Sequence, residues 1–275
     1  MCGNRRASIE TACVDRFQGG TNPSVNRSQL LACMLNLLVP ALVFAQGSVE
    51  DYVEQGMAEG QSEDFDKAIT DFDHAVQLNP NQVEVYNYRG VIKARKGDIE
   101  GAIADFDRAV ERDPKYPHAY LNRGVARQTK SDFAGALSDY IRYSELMLQG
   151  LPNNYVSFYI WLVRIRQNGI SEANKELSSY LEQRRDASAG DWVYKIGEFL
   201  LDKMSEADLF VAANSPEAGK RRRLCDAWYF SGMKHVLTGD KMAASNYFIK
   251  CLATHSLTSE YLLAQSELRT LGAAK

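Results

Sequence analysis

The sequence predicts an all-α protein in which helical hairpins stack into a right-handed superhelical solenoid. The first observation is a repeat, because residues 83–116 and 117–150 align without gaps and give a period of 34 residues. The second is the helical spacing of apolar residues inside each repeat, as at Ala102 and Phe106. The third is the turn chemistry, since pairs such as Asp113-Pro114 end the predicted helices. A hairpin of this kind cannot bury its own apolar face and has to stack on its neighbours.

Length and composition narrow the class of protein. The chain has 275 residues, of which 45% are hydrophobic and 24% are charged, and these values exclude collagen-like and disordered chains. The net charge of −3 lacks the basic surplus that is typical of nucleic-acid binding. Five cysteines, three of them within the first 33 residues, lack the paired spacing of a zinc site. We therefore expect no nucleic-acid partner, no metal and no cofactor.

Residues 1–45 have the pattern of an export signal and are predicted as a signal peptide. Basic residues precede an apolar run over residues 30–45, and Val43-Phe44-Ala45 is typical of a cleavage site before Gln46. One alternative is an uncleaved short anchor, although the run is shorter than the roughly 20 residues that span a bilayer. Another is lipidation at Cys33, although the apolar stretch follows this cysteine instead of preceding it. The segment predicts an exported protein of the periplasm or cell envelope, with membrane association left open.

The remaining elements follow in chain order. Residues 49–150 hold three clear repeat units, and residues 225–258 hold another with the same aromatic, glycine and alanine pattern. Residues 151–224 are predicted to form degenerate helical repeats, in which Trp161 stands where a small glycine is expected. Residues 259–275 are predicted as a C-terminal capping helix, because a repeat array needs a polar outer end.

The pattern of the units resembles the tetratricopeptide repeat (TPR). The best units carry an aromatic residue, then a small glycine four residues later, and an alanine, an aromatic residue, an alanine and a proline in the second half. In residues 83–116 these are Tyr86, Gly90, Ala102, Phe106, Ala109 and Pro114. The resemblance implies a non-catalytic protein that binds protein or peptide ligands.

The order of the units resembles the NlpI family of bacterial envelope lipoproteins. The string over residues 118–124, the pairs Trp161-Leu162 and Asp191-Trp192, and Tyr229-Phe230 ahead of Gly232 carry this resemblance. It implies an adaptor that brings a periplasmic tail-specific protease together with a cell-wall hydrolase by raising their effective concentration. The chain departs from that family because it has no lipobox cysteine in a good position. The alternatives are a chaperone-like assembly scaffold without a protease partner and a cell-division scaffold, and pairing of the chain with itself as a homodimer is also left open.

The first helices of the two best units are predicted to line the concave face, where repeat solenoids hold peptides or partner helices. Asparagine and arginine side chains there can hydrogen-bond a peptide backbone, and the apolar side chains give contact area. The alternative interpretation is a solvated surface without a ligand. The predicted partner-binding residues are Asn87, Tyr88, Val91, Arg95, Leu121, Asn122, Val125 and Gln128.

Charged residues also recur with the repeat. Arg89 and Arg123 stand beside the glycine of their units, and we predict that they form ion pairs between repeats. The acidic pairs Asp71/Asp73 and Asp105/Asp107 are interpreted as solvated helix faces.

The sequence predicts no enzyme, because it contains no Gly-rich phosphate loop, nucleophile elbow or paired-histidine motif. The basic run over residues 220–223 is interpreted as a solvated loop or helix start, with docking on an anionic surface as the alternative. Cys225 and Cys251 are predicted to lie at the same end of one hairpin as two buried thiols, with a disulfide as the alternative.

Overall fold

The computed structural model of the protein describes residues 47–147, 155–183, 191–216, 219–256 and 258–272. The predicted signal peptide over residues 1–45 lies outside these ranges. The described residues form thirteen α-helices and no strands. The helices are α1 (Val49–Gln61), α2 (Phe65–Leu78), α3 (Val83–Lys96), α4 (Ile99–Arg112), α5 (Pro117–Thr129), α6 (Phe133–Met147), α7 (Val156–Asn168), α8 (Ile170–Gln183), α9 (Trp192–Leu200), α10 (Glu206–Ala213), α11 (Lys220–Thr238), α12 (Lys241–Leu252) and α13 (Ser259–Thr270).

The repeat period is visible in the helix boundaries. Helices α1, α3 and α5 begin at residues 49, 83 and 117, and α2, α4 and α6 begin at residues 65, 99 and 133. The helices α1/α2, α3/α4, α5/α6, α7/α8 and α11/α12 pack as hairpins, and each of α2, α4 and α6 also packs against the hairpin that follows. The prediction of an all-α array of stacked helical hairpins is confirmed. The handedness of the superhelix stays a prediction.

In each of the regular hairpins, a glycine in the first helix lets an aromatic ring of the second helix pack closely against it. A methyl group added at Gly90 would lie 2.6 Å from a ring carbon of Phe106, which stands in the second helix of the same hairpin. The same approach joins Gly124 to Tyr140 and Gly232 to Phe248, also at 2.6 Å. The small residue lets the facing aromatic ring fill the space between the two helices, and this explains why the two residue types repeat together.

In the second and third units, the tyrosine near the start of the unit joins it to the unit before. The hydroxyl of Tyr86 donates to the carbonyl oxygen of Pro80 at 3.0 Å, and the hydroxyl of Tyr120 donates to that of Pro114 at 3.2 Å. Each tyrosine therefore fixes the turn that leads from the end of one hairpin into the next.

In the middle of the chain, α7 and α8 also form a hairpin, but different side chains hold the two helices together. Trp161 is buried in α7, and its indole nitrogen donates to the side-chain oxygen of Asn174 in α8 at 2.8 Å. Leu181 of α8 packs so closely on Gly197 of α9 that an added methyl would lie 2.6 Å from it. One continuous apolar core runs from Tyr120 through this region to the C-terminal helix.

The last hairpin begins earlier than the repeat pattern predicts. Helix α11 starts at Lys220, directly after Gly219, which has a left-handed φ of 85°. The basic run over residues 220–223 therefore forms the first turn of this helix. No helix among the residues described combines the length and the apolar character needed to cross a bilayer.

Candidate interaction groove

The first helices of the hairpins form one wall, and the C-terminal helix lies against it. We call the surface made by α3, α5, α7 and α11 the first-helix wall. Leu262 of α13 packs against an apolar cluster that contains Ala94 of α3 and Ala126 of α5. Helix α13 also packs on α11 and on α12 of the last hairpin. The C-terminal helix therefore bridges the early repeats and the last one.

Polar contacts fix the position of α13 on this wall. The hydroxyl of Ser266 donates to the backbone carbonyl of Thr129 in α5 at 3.2 Å. Two contacts reach α7: the hydroxyl of Tyr159 donates to the carboxylate of Glu260, and the guanidinium of Arg166 forms an ion pair with Glu267. Because Glu260 and Glu267 are seven residues apart, these contacts lie on one side of α13, two helical turns from each other.

A small cavity remains between α13 and the wall. Its volume is about 110 Å³, and its lining is mostly apolar. It is lined from one side by the first-helix wall and from the other by the start of α13. Four of the predicted partner-binding residues, Val91, Arg95, Asn122 and Val125, line this cavity.

Arg95 is held almost out of solvent at the edge of the cavity. Its side chain is 7% exposed, and one terminal nitrogen donates to the carbonyl oxygen of Gly60 at 2.6 Å. The other terminal nitrogen lies 4.0 Å from the Glu63 carboxylate, and Nε is buried without a hydrogen-bond partner among the residues described. Burial lowers the pKa of this guanidinium, with Glu63 acting in the opposite direction.

The other four predicted partner-binding residues, Asn87, Tyr88, Leu121 and Gln128, contact their own array. The side chain of Asn122 donates to the side-chain oxygen of Asn87 at 2.8 Å and so links α5 to α3. Gln128 is buried and accepts from the hydroxyl of Tyr140 at 2.8 Å. Tyr88 lies beside Phe72 of the preceding hairpin, with ring centres 6.1 Å apart, and Leu121 packs on the main core. The partner-binding role of the eight residues stays a prediction.

Arg89 and Arg123 join neighbouring hairpins, as the sequence predicts. Arg89 forms two hydrogen bonds with Asp105 in its own hairpin, at 2.8 and 2.6 Å, and one with Asp73 of the preceding hairpin at 2.6 Å. Arg123 repeats the arrangement with Asp139 and Asp107. These two-sided contacts tie adjacent units together.

The interpretation of the acidic pairs as solvated faces is wrong for one member. The carboxylate of Asp105 is fully buried, where it also pairs with Lys93 at 2.8 Å and Arg108 at 2.7 Å. Burial acts to raise the pKa of Asp105, but the hydrogen bonds from Arg89 and Lys93 outweigh it and lower the pKa. Asp73 and Asp107 each pair with an arginine of the following hairpin, whereas Asp105 pairs with the arginine of its own hairpin, and the acidic pairs alone do not indicate these partners.

Another buried acid, Asp226, lies on the first-helix wall. Asp226 of α11 is fully buried, and one carboxylate oxygen accepts from the hydroxyl of Tyr155 and the indole nitrogen of Trp192, both at 2.9 Å. Its other oxygen is buried without a hydrogen-bond partner among the described residues. Burial, followed by the nearby charge of Glu260, raises the pKa of Asp226 well above its usual range.

The basic run contributes to internal contacts. Arg223 is largely buried and donates to the carbonyl oxygen of Ser215 at 2.7 Å. The guanidinium of Arg222 lies 4.8 Å from the ring centre of Tyr155. Two of the four basic side chains therefore support the start of α11.

Cys225 and Cys251 are both buried, and their sulfur atoms lie 2.8 Å apart as free thiols. The hydrogen bond between them lowers the pKa of Cys225 and raises that of Cys251. Thr258, the residue before α13, lies 3.6 Å from the Cys225 sulfur. No set of three or more His, Cys, Asp or Glu side chains in the described part of the chain is placed to hold a metal ion.

The role of α13 on the wall is the main feature that sequence reasoning missed. A terminal cap with a polar outer face would carry one apolar stripe. In α13, Leu263, Ala264 and Leu268 are buried in the main core, whereas Leu262 packs on the cluster of α3 and α5. Apolar residues on two sides of the helix are the signal that could have indicated a second packing surface.

Comparison with known proteins supports the repeat assignment. A tetratricopeptide repeat family model matches residues 53–117 and 93–145. No curated protein matches the chain. The matched region contains the hairpins α1/α2, α3/α4 and α5/α6 almost completely.

Several solved structures are similar to the chain at low identity. PilF of Pseudomonas aeruginosa is 14% identical with a TM-score of 0.47, covering 80% of this chain and 97% of its own. The MamA protein is 18% identical with a TM-score of 0.46, covering 75% and 91%. The TPR2B domain of yeast Sti1, solved in complex with pHsp70, is 20% identical with a TM-score of 0.39, covering 46% and 97%. The region that this family model matches, residues 53–145, is also the region in which the helices recur with a period of 34 residues.

Proposed function

We propose that the protein is a non-catalytic interaction scaffold that holds a segment of a partner protein on its first-helix wall. The observation that carries the proposal is the wall itself, because it already holds a helix, α13, through apolar contact, a hydrogen bond and an ion pair. A surface that binds one helical segment in this way has the apolar centre and polar edge of a protein interface.

The proposed setting is the cell envelope. The export pattern over residues 1–45 and the resemblance to the NlpI family support it. In this setting, the scaffold would bring a periplasmic protease and a cell-wall hydrolase together and raise their effective concentration. An assembly or cell-division scaffold without a protease partner uses the same wall, so the identity of the captured partner separates the two.

Site-specific photo-crosslinking in living cells tests the proposal. A photoreactive amino acid is placed at Val91, which lines the cavity on the wall, and for comparison at Met242 of α12, which is 78% exposed. We expect adducts with an envelope protease or hydrolase from position 91 and none of these from position 242. Adducts that are the same at both positions, or adducts with cytoplasmic proteins only, would contradict the proposal.

A second measurement tests the setting separately. Mass spectrometry of the protein recovered from envelope fractions determines its first residue, and we expect a chain that begins at Gln46. A chain that keeps residues 1–45 and remains in the cytoplasmic fraction would remove the envelope setting while leaving the scaffold role open to the crosslinking test.

A further inference from the structure

The last hairpin carries two cysteines whose side chains meet in its interior. Cys225 lies near the start of α11 and Cys251 near the end of α12, so the packing of these two helices as a hairpin brings both to the same end. Both side chains are fully buried and belong to the main apolar core. The two sulfur atoms therefore meet in a part of the protein from which water is excluded.

The sulfur atoms are closer together than two ordinary thiols. They lie 2.8 Å apart, which is about the separation of the two oxygens in an O–H···O hydrogen bond, although sulfur is the larger atom. A covalent sulfur–sulfur bond is about 2.05 Å long. A small movement of the two side chains is therefore enough to bring the pair from its present contact to bonding distance.

Another contact of the same hairpin holds the two helices close together. Gly232 lies two helical turns after Cys225, on the same side of α11. An added methyl at Gly232 would lie 2.6 Å from the ring of Phe248, and Phe248 stands three residues before Cys251 in α12. This close packing reduces the usual obstacle to a disulfide between packed helices, which is too large a separation of the two α-carbons.

The distribution of cysteines along the chain is a second, independent observation. Of the five cysteines, three precede the proposed cleavage site, so a chain that begins at Gln46 keeps only Cys225 and Cys251. Each of the two then has one possible partner within its own chain. In an oxidising compartment such as the bacterial periplasm, disulfides form and persist.

We propose that a disulfide joins Cys225 to Cys251 in the exported protein, and that it forms by exchange with the disulfide of an envelope thiol–disulfide oxidoreductase. The proposal rests on the envelope setting above. One cysteine thiolate attacks the oxidoreductase disulfide, which gives a mixed disulfide and releases one thiol. The second cysteine attacks the mixed disulfide and releases the other thiol. The two cysteines lose two electrons and two protons, and the oxidoreductase gains them as a dithiol.

The burial of both sulfurs sets the order of events. An oxidoreductase cannot reach them in the folded hairpin, so the exchange takes place before α11 and α12 close on each other. The folded hairpin then shields the bond from reductants.

The bond stabilises the part of the array on which α13 rests. Helix α13 packs on both α11 and α12, and the hydroxyl of Thr258, directly before α13, lies 3.6 Å from the Cys225 sulfur. A bond between Cys225 and Cys251 closes the loop between them and limits the freedom of the unfolded chain. We therefore expect the oxidised protein to be more stable than the reduced one.

Thiol labelling of the full-length protein, recovered from the envelope after expression with residues 1–45 in place, tests the proposal. The protein is denatured with a maleimide reagent present, and labelled peptides are identified by mass spectrometry before and after reduction. We expect Cys225 and Cys251 to be labelled only after reduction, and to occur in one linked peptide pair before it. In a host that lacks its envelope oxidoreductase, both should be labelled without reduction. Labelling of both cysteines before reduction in the ordinary host would overturn the proposal.

The melting temperature measures what the bond contributes. The oxidised chain should melt about 5–10 °C above the same chain refolded with a reductant. The control is the variant that carries both C225A and C251A, whose melting temperature should not respond to the reductant. Equal melting temperatures for the oxidised and reduced native chain, or an equal shift in the variant, would contradict the stabilising role. If the variant does not fold, the labelling result still decides whether the bond exists.

The outcomes separate this inference from the scaffold function. A chain that begins at Gln46 with both thiols free would overturn the disulfide alone. A chain that keeps residues 1–45 and stays in the cytoplasm would overturn the envelope setting and the disulfide with it. If the disulfide forms but crosslinking at Val91 captures no partner, the scaffold function fails and the disulfide stands.

Discussion

At the scale of single residues, charge burial separates the groups that hold the array together from those that weaken it. Asp105 is fully buried but is surrounded by Arg89, Lys93 and Arg108. Asp226 is equally buried, but the charged group with the largest effect on its pKa is another acid, Glu260. The sign of each contribution therefore depends on the groups packed around the acid.

Substitution of Arg89 by methionine tests the favourable case. The change leaves Asp105 buried with fewer donors, so we expect the free energy of unfolding to fall by about 2–4 kcal/mol in urea denaturation. The matched control is Lys130→Met, which removes an ion pair with Glu100 whose two side chains are 43% and 71% exposed. The control should cost less than about 1 kcal/mol. Equal losses for the two variants would show that Arg89 does not support the stack.

Substitution of Asp226 by asparagine tests whether this buried acid destabilises the fold, through the pH dependence of stability. Because folding raises the pKa of Asp226, the stability that its proton provides is present at acidic pH and is lost as the pH rises through the folded-state pKa. Tyr155, Trp192, Glu260, Cys225 and Arg222 are the neighbouring groups that act on this site. We expect Asp226→Asn to be more stable than the native chain at pH 8 by about 1–3 kcal/mol. The gain should shrink toward pH 4.

Urea midpoints measured at several pH values give this comparison. Glu206→Gln is a suitable control. The Glu206 carboxylate also accepts a hydrogen bond from a tyrosine, Tyr247, but its side chain is 36% exposed. Parallel pH profiles for the native chain and Asp226→Asn would mean that Asp226 is not held protonated in the folded state.

At the scale of helices and hairpins, the regular units and the presence of a C-terminal helix could be predicted, but the surface on which that helix packs could not. The period of 34 places the starts of α1, α3 and α5, because each unit carries its own glycine, aromatic residue and turn. These signals are local and lie within one hairpin. Helix α13 packs on α5, which ends some 130 residues earlier in the chain. The apolar residues on two sides of α13 indicate a second packing surface, but they do not identify the helix that covers it, because that depends on how the successive hairpins rotate.

Contacts between helices also limit what the sequence predicts about the candidate site. The sequence predicts that Val91, Arg95, Asn122 and Val125 lie on one face, and the structure places these four around one cavity. It does not predict that Asn122 binds Asn87 or that Gln128 is buried against Tyr140, because both contacts depend on side-chain packing between helices.

Hairpin closure can be tested at a single glycine. An added methyl at Gly90 would meet three carbon atoms of the Phe106 ring at 2.6, 2.9 and 3.0 Å, and this ring is buried. We expect Gly90→Ala to lower the free energy of unfolding by about 1–3 kcal/mol. At Gly60 the added methyl would meet only the terminal methyl of Ile92, at 2.5 Å, which can change rotamer. Gly60→Ala should therefore cost clearly less, and the reverse order would contradict the closure argument.

At the scale of the whole molecule, the described array closes on itself through its last helix. Helix α13 packs on the last hairpin through α11 and α12 and on an early one through α5. His255, in the loop before α13, lies 3.3 Å from Glu63 in the first hairpin. The repeats and the C-terminal helix therefore act as one structure, in which the surface predicted to bind partners is already occupied.

The central claim is that α13 lies on the first-helix wall of its own chain, and a disulfide crosslink tests it most directly. Cysteines are placed at Thr129 and Ser266, where the serine hydroxyl lies 3.2 Å from the threonine carbonyl oxygen. The control pair is Thr129→Cys with Met242→Cys, an exposed position on α12. The account predicts that mild oxidation joins residues 129 and 266 within one chain, as identified by peptide mass spectrometry, and leaves the control pair unjoined. Two free thiols in the first pair, or a bond that forms only between two chains, would contradict it.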